Sequence, residues 1–254
     1  MKLKEVLVHR PGVEMSSVRK NDIWKEIPKL EKLEKEHDEI VDALRSENVK
    51  VNYTLKTLER KPNLIFVRDP AFVINGKALI LRLTSERQGE ELLIKERIFQ
   101  LGLKIVGQLI YPCILEGSNI FLIDEKNALI GINKRANLDG ARKFEEITGI
   151  KVFPIPQEDI SKNFNLIDKT AVISEAILDS QLYEFLKENE FEIIIGNEGM
   201  EFLQIDSNKI INFKASLNKK LEKNGFDVIE LDLKEFLKCS RGIRSLILPI
   251  DYEV

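Results

Sequence analysis

Short apolar runs and amphipathic helix patterns alternate along this chain in a recurring order. Each repeat has two apolar runs around a turn signal, then apolar positions at helical spacing, then a third apolar run. Four such repeats follow one another, with hairpin turns near residues 75, 125, 168 and 207. The clearest turn signal is Asn75-Gly76, a pair typical of two-residue hairpins. The pattern predicts a ββαβ unit that recurs at a period typical of repeat architectures.

The helices of these repeats are predicted over residues 85–101, 138–147, 181–187 and 216–223. Ser85 and Gln88 have the spacing of a capping box, which places the first of these helix starts at residue 85.

The two ends of the chain supply the parts of a fifth unit. Residues 5–9 form a short apolar run, apolar positions recur at helical spacing from Leu30 to Leu44, and residues 49–55 alternate as a strand. One apolar run, residues 245–250, remains at the C-terminus. We therefore predict a single α/β domain over residues 1–254, in which five pseudo-symmetric ββαβ units form a propeller that closes through the termini.

Composition excludes several classes of function. The 39 Lys and Arg residues against 42 Asp and Glu residues give a net charge of −3, which argues against a nucleic-acid partner. No apolar run approaches the roughly 20 residues that span a bilayer, so no membrane partner is predicted. The two cysteines, Cys113 and Cys239, form no CxxC pair and are typical of a reduced, cytoplasmic protein. Nothing indicates a metal or an organic cofactor, and homo-oligomerisation is left open.

A polar or turn-forming cluster lies next to the first hairpin strand of every unit. Because equivalent positions in a ring of units converge on one axis, we predict a shared central pocket. The clusters are Arg68-Asp69-Pro70, Glu116-Gly117-Ser118-Asn119, Asn163-Phe164-Asn165, Gly199-Met200-Glu201 and Gly242-Ile243-Arg244-Ser245.

Several segments, in chain order, resemble the guanidine-modifying superfamily of arginine deiminases, dimethylarginine dimethylaminohydrolases and amidinotransferases. They are LKEVLVHRPG, FVRDPAFVI, SERQGEE, LEGSNIFLI, INKRANLDG and the C-terminal NGFDVIELDLKEFLKCSRGIRSLILPI. The resemblance implies the five-bladed pentein fold. It also implies a chemistry in which a cysteine thiolate attacks a guanidinium carbon, a histidine transfers protons and carboxylates hold the cation.

The resemblance implies that part of the substrate-holding set is retained. Asp69 and Glu116 match carboxylates that hold the guanidinium group, and Glu116 is also counted with the catalytic positions. Arg87 and Arg135 match arginines that, in arginine deiminases, help to hold the α-carboxylate of the substrate. Asn119 ends the loop that contains Glu116 and is included among the predicted substrate-binding residues.

The reactive positions differ from those of the superfamily. Its His-x-Asp segment aligns with Asn163 and Asn165, and its nucleophilic cysteine aligns with Ser245. A serine hydroxyl is a weak nucleophile without an adjacent base, and an asparagine side chain cannot accept its proton at neutral pH. We therefore expect no deiminase chemistry.

Three hypotheses follow. The leading hypothesis is a catalytically degenerate protein that still binds a guanidino or arginine-like ligand through Asp69 and Glu116. The second is an active hydrolase with a rebuilt nucleophile at Ser245 or Cys239. The third is a protein-interaction scaffold, a role that rests only on analogy between folds.

Overall fold

The computed structural model describes residues 2–55 and 60–253. In these ranges the strands are β1 Lys2–Val8, β2 Lys50–Tyr53, β3 Ala71–Ile74, β4 Lys77–Ile80, β5 Lys104–Gln108, β6 Ile120–Leu122, β7 Asn127–Ile132, β8 Lys151–Pro156, β9 Phe164–Ile167, β10 Thr170–Ser174, β11 Glu192–Gly196, β12 Leu203–Asp206, β13 Lys209–Phe213, β14 Asp227–Leu231 and β15 Ile247–Glu253. The α-helices are α1 Leu30–Ser46, α2 Glu91–Gln100, α3 Leu138–Thr148, α4 Ile160–Asn163, α5 Gln181–Glu188 and α6 Ser216–Lys223. None of the helices in the described ranges is both long and apolar enough to cross a membrane.

The strands form five three-stranded sheets with the same internal order. In each sheet the first strand pairs antiparallel with the second, and the third pairs parallel with the second after a helical connection. Four sheets follow the chain in sequence, whereas the fifth has the order β15-β1-β2 and joins both ends of the chain. In that sheet Lys2 lies opposite Glu253 and Val8 lies opposite Ile247. The predicted fivefold α/β architecture is confirmed.

The middle strand of each sheet is apolar on both faces because a core lies on each side of it. In β7, Ile130 packs in a cluster with Leu79 of the preceding unit, and the next residue towards the N-terminus, Leu129, packs with Ile173 of the following unit. Neighbouring positions of a strand point to opposite faces, so one short run serves two cores. Each pair of adjacent units thereby shares one core, including the pair that closes the ring.

The helix of the first repeat begins later than the sequence pattern predicts. Ser85–Arg87 forms a 3-10 turn, and α2 begins only at Glu91, without a side-chain cap at its N-terminus. Two features explain the difference. Arg87 turns into the protein interior to meet buried carboxylates, and Gly89 adopts a left-handed backbone with φ of +90°. The chain therefore leaves the helical path before α2, and the predicted capping box does not form.

Candidate functional site

Two loops from neighbouring units are packed backbone against backbone near the ring axis. The amide of Gly117 donates to the carbonyl of Asp69 over 3.0 Å. A Cβ atom at Gly117 would lie only 2.1 Å from the carbonyl oxygen of Arg68, so only glycine fits this approach. The contact places the side chains of Asp69 and Glu116 side by side.

Asp69 is completely buried and meets two guanidinium groups. Its Oδ2 accepts a hydrogen bond from Arg87 Nη1 over 2.5 Å and lies 3.5 Å from Arg241 Nη1, while its Oδ1 accepts from the Ser118 amide over 3.1 Å. Burial alone would raise the pKa of this carboxyl group, but Arg241 and Arg87 outweigh it and hold the pKa well below its usual range. Asp69 is therefore ionised and paired.

Glu116 meets the same two arginines from the other side. Its Oε2 lies 3.1 Å from Arg241 Nη2 and 3.3 Å from Arg87 Nη1, and its Oε1 accepts from the Thr84 hydroxyl over 3.3 Å. The ring of Phe66 lies 5.6 Å from the Arg241 guanidinium and 5.8 Å from that of Arg87. The two carboxylates that the sequence assigns to a guanidino ligand are thus occupied by guanidinium groups of the chain itself.

Arg87 has a further partner in Glu90, whose Oε2 lies 2.7 Å from Arg87 Nη2. Arg87 is buried and its pKa is raised well above the usual value: burial would lower it, but Glu90, Glu116 and Asp69 outweigh that effect. The resemblance to arginine deiminases predicts that Arg87 holds the α-carboxylate of a substrate. In the structure its hydrogen bonds go to protein carboxylates and to the carbonyl of Asn63.

Arg241 is the principal residue of this cluster that the sequence analysis does not identify. Besides its two carboxylates, it donates to the Ser118 hydroxyl over 2.9 Å. It lies four positions before Ser245, in the segment Ser240-Arg241-Gly242. The sequence contains one signal that could have identified Arg241. The segment before Ser245 has two arginines, Arg241 and Arg244.

Asn119 and Arg135 are not hydrogen-bonded to the paired carboxylates. Asn119 is buried and donates to the Gly131 carbonyl over 2.8 Å and to Asn133 Oδ1 over 2.9 Å. Arg135 is half-buried, and its Nη2 lies 3.4 Å from the Ser161 hydroxyl. Burial and the nearby charge of Arg241 lower the pKa of Arg135. Asn119 therefore stabilises its own ββαβ unit. Arg135 interacts with Asp69 and Glu116 only through its charge.

The three positions that align with the reactive groups of the superfamily do not form a hydrogen-bonded set. Ser245 is fully buried, and its hydroxyl has no partner among the described residues. Asn163 donates to the carbonyl of Asp159 over 3.2 Å, within its own helical turn. Asn165 donates to the carbonyls of Met200 and Phe202, over 2.7 and 2.9 Å. Both amides therefore stabilise backbone, and neither contacts the serine through a hydrogen bond.

Cys239 is buried, and its thiol faces the backbone carbonyls of Phe236 and Arg241. Its thiol donates to the Phe236 carbonyl over 2.9 Å, and burial raises its pKa to about 12. Neither histidine is positioned to help: His9 contacts Thr54 and Glu14, and His37 lies buried on α1, where burial lowers its pKa to about 4. A reactive cysteine needs the opposite environment, one that depresses the thiol pKa.

Five ββαβ units around an axis, with guanidinium groups held between buried carboxylates at that axis, define a pentein protein of the guanidine-modifying superfamily. Comparison with known families identifies one family within this superfamily. Residues 15–194 match the family described as "N,N dimethylarginine dimethylhydrolase, eukaryotic". The chain belongs to the dimethylarginine dimethylaminohydrolase family.

Relatives of known sequence match over most of their length. The chain is 28% identical over 229 residues to an uncharacterised Bacillus subtilis protein, YkgA, covering 85% of this chain and 79% of that protein. It is 23% identical over 238 residues to N(G),N(G)-dimethylarginine dimethylaminohydrolase of Pseudomonas aeruginosa, covering 87% of this chain and 89% of that enzyme.

Solved structures share the fold. The chain is similar to a cysteine-to-serine variant of Pseudomonas aeruginosa dimethylarginine dimethylaminohydrolase complexed with citrulline, with a TM-score of 0.84 and 20% identity over 98% of this chain and 100% of that one. It is similar to the substrate-bound N-terminal domain of ArgZ, a cyanobacterial arginine dihydrolase, with a TM-score of 0.84 and 20% identity over 97% of each chain. At this level of identity the likeness establishes the fold.

Proposed function

We propose that this chain is a non-hydrolytic member of its family, in which Arg241 takes the place of a guanidino ligand between Asp69 and Glu116. The observation that carries the proposal is the position of the Arg241 guanidinium, 3.1 Å from Glu116 and 3.5 Å from Asp69. The relatives with an assigned activity are named as enzymes, so the loss of hydrolysis is a property that we assign to this chain from its own residues.

Electrostatics support this assignment. A guanidinium ligand gains binding energy from carboxylates that lack a partner, because paired charge-assisted hydrogen bonds then form on binding. Here Asp69 and Glu116 already pair with Arg87 and Arg241. A free guanidino ligand must displace Arg241 and leave that charge buried without a partner, which costs several kcal/mol, on the order of 3–5. Ligand binding through these two carboxylates is therefore opposed by the chain itself.

The surroundings of the candidate nucleophiles also support a non-hydrolytic protein. The runner-up hypothesis requires a histidine or lysine within hydrogen-bond reach of Ser245 or Cys239. In residues 2–55 and 60–253, the Ser245 hydroxyl has no hydrogen-bond partner and the Cys239 thiol has only backbone carbonyls. Neither group has a base, and nucleophile and base act as a unit in such reactions.

The first test is an assay for ureido product with arginine, methylated arginines and agmatine. We expect no product above the boiled control from the wild-type protein, and none from Ser245→Ala or Cys239→Ala. Thiol alkylation provides a second readout: because the Cys239 pKa is about 12, the native protein should resist alkylation there at pH 8 and react only after unfolding. Turnover that one substitution abolishes would overturn the proposal and identify the nucleophile.

The second test is chemical rescue of Arg241→Ala. This variant leaves Asp69 and Glu116 short of one cation and opens a space of guanidinium shape. We expect a lower Tm than wild type, and recovery of part of the loss in millimolar methylguanidine or agmatine. The wild-type protein and Arg142→Ala, an exposed arginine on α3, should show no such rise. An equal response of wild type and Arg241→Ala would show that Arg241 does not occupy the guanidinium position.

A further inference from the structure

A second group of cationic side chains lies on the ring axis, beyond the Asp69–Glu116 cluster. A cavity of about 80 Å³ opens there between the first strands of the units, lined at its polar side by Arg68, Arg244 and Tyr252. All five units contribute to its wall, since its lining includes residues of β3, β6, β9, β12 and β15. The cavity is lined by the first strands themselves, on the side of the hairpin turns. Asp69 and Glu116 lie in the loops before β3 and β6.

The two arginines of this axial cavity have no carboxylate partner. Arg244 donates to the carbonyls of Ser118, over 2.8 Å, and Ile120, over 2.5 Å, and its guanidinium lies 4.0 Å from the centre of the Phe121 ring. Within the described ranges, the side chain of Arg68 makes no hydrogen bond or ion pair. The charge of Asp69 acts on both arginines, but this carboxylate is paired with Arg87 and Arg241. The charge of Glu201 also acts on Arg244, without a hydrogen bond or ion pair between them in the described ranges.

Within the described ranges, the side chains near the ring axis include five arginines but only four carboxylates, so positive charge is in excess. The arginines are Arg68, Arg87, Arg135, Arg241 and Arg244, and the carboxylates are Asp69, Glu90, Glu116 and Glu201. Burial also raises the pKa of Glu201, which weakens its contribution of negative charge. Burial lowers the pKa of Arg68, and burial together with the charge of Arg68 lowers that of Arg244. An anion between these arginines would remove that cost.

The remaining walls set the size and the access of a ligand. Phe121 and Phe202 are buried and apolar, while Phe72, Gln204 and Tyr252 are half-buried, so the axial cavity is open to solvent on their side. The Tyr252 hydroxyl makes no hydrogen bond within the described ranges and offers a third donor. The volume of about 80 Å³ is well above the roughly 10–15 Å³ that a single water molecule needs, so the cavity has room for a small polyatomic ion.

We propose that the axial cavity binds a small oxyanion, held by the guanidinium groups of Arg68 and Arg244 and by the Tyr252 hydroxyl. Phosphate and a short carboxylate share this chemistry, since both present several acceptor oxygens to a planar fork of N–H donors. The proposal does not depend on the function proposed above, because the axial cavity shares no side chain with the Arg241–Asp69–Glu116 cluster.

Arg68→Gln is the informative variant, because within the described ranges the Arg68 side chain has no hydrogen bond or ion pair to lose. Arg244→Gln would break two hydrogen bonds to backbone carbonyls and is less suitable. In a low-salt buffer free of oxyanions, Arg68→Gln should have a Tm equal to or above that of wild type, since it removes a half-buried charge that has no hydrogen bond or ion pair in the described ranges. Arg142→Gln, on the exposed face of α3, is the matched control.

Binding is measured by calorimetric titration with inorganic phosphate, acetate and propanoate as separate probes. We expect saturable one-to-one binding of at least one probe to wild type and to Arg142→Gln, and binding to Arg68→Gln weaker by roughly 10- to 100-fold. Stronger binding of phosphate than of the two carboxylates would indicate a tetrahedral oxyanion, and the reverse a carboxylate-bearing ligand. Phosphate also stabilises proteins by exclusion from their surface, so a Tm rise counts only where Arg68→Gln lacks it. No saturable binding of any probe, or equal binding to Arg68→Gln, would overturn the proposal.

Discussion

Two pairs of arginines near the ring axis have opposite surroundings. Arg87 and Arg241 each pair with two or more carboxylates. In the described ranges Arg244 donates its hydrogen bonds to backbone carbonyls, and the Arg68 side chain makes no hydrogen bond or ion pair. The difference shows that burial of an arginine is not by itself evidence of a stabilising ion pair. Where the partners are present, the charge belongs to the fold; where they are absent, it is available to a ligand.

The largest expected effect is the loss of a paired arginine. Arg87→Gln leaves Asp69, Glu90 and Glu116 with one guanidinium group between them, so we expect the free energy of unfolding to fall by about 3–5 kcal/mol. Urea denaturation followed by circular dichroism measures this loss.

The matched control is the same substitution at the surface. Arg10 pairs with Asp38 over 2.9 Å, with both side chains about half exposed, and Arg10→Gln should cost less than about 1 kcal/mol. If Arg87→Gln cost no more than Arg10→Gln, the buried cluster would not differ energetically from a surface pair, and the comparison between the two arginine pairs would fail.

A smaller effect is expected where the two regions meet. Gly117→Ala places a methyl group 2.1 Å from the backbone carbonyl oxygen of Arg68, and neither the Cβ atom nor this carbonyl can move without a shift of its backbone. We expect a loss of about 1–3 kcal/mol, because the loops of Asp69 and Glu116 must separate. Gly76→Ala is a useful control in a hairpin turn, since its new Cβ would meet no atom within 4 Å and its cost would come from the left-handed backbone alone. A stability of Gly117→Ala equal to wild type would contradict the close loop contact.

The smallest effect is a pH dependence that distinguishes the paired region. The pKa of Asp69 is lowered on folding, so its contribution to stability is complete above the unfolded value of about 4 and is lost as the pH falls towards the folded value. The loss is at most about 1.4 kcal/mol per pH unit.

Unfolding of wild type and Asp69→Asn between pH 6 and pH 3 measures this contribution. The advantage of wild type should shrink as the pH falls below about 4. Asp38→Asn should differ from wild type by less than about 1 kcal/mol throughout. A wild-type advantage that grows with acidification would mean that Asp69 is not the ionised partner of the arginines.

Much of the fold could be predicted from the sequence because it depends on local patterns. The two-sided apolar runs of the middle strands follow from their burial between two cores, and Asn75 and Gly76 adopt the left-handed backbone that their turn requires, with φ of 48° and 69°. The start of α2 could not be predicted, because the capping pattern at Ser85 competes with the buried carboxylates that attract Arg87. That competition depends on residues distant in the chain.

The candidate site was predictable only in part. Asp69, Glu116 and Arg87 do come together, whereas the opposite environments of Arg241 and Arg244 could not be read from a sequence in which they lie three residues apart. The turn between them passes Gly242, where a Cβ atom would lie 2.4 Å from that of Glu201, so contact with another unit sets the direction of each arginine. The roles of Ser245, Asn163, Asn165, Asn119 and Arg135 in any ligand site stay predictions.

The sheet β15-β1-β2 has a consequence for the order of folding. β1 is synthesised before the strands of the other four sheets and its antiparallel partner β15 after them, so the fifth sheet cannot form until those strands have been made. Until β15 is available, we expect part of the apolar surface of α1 and β1 to stay exposed. Contacts between residues so distant in sequence also form slowly. We therefore expect closure of the ring to be a late step of folding, which also brings the segment with Arg241 and Arg244 to the axis. The charged centre is completed only when the two ends of the chain meet.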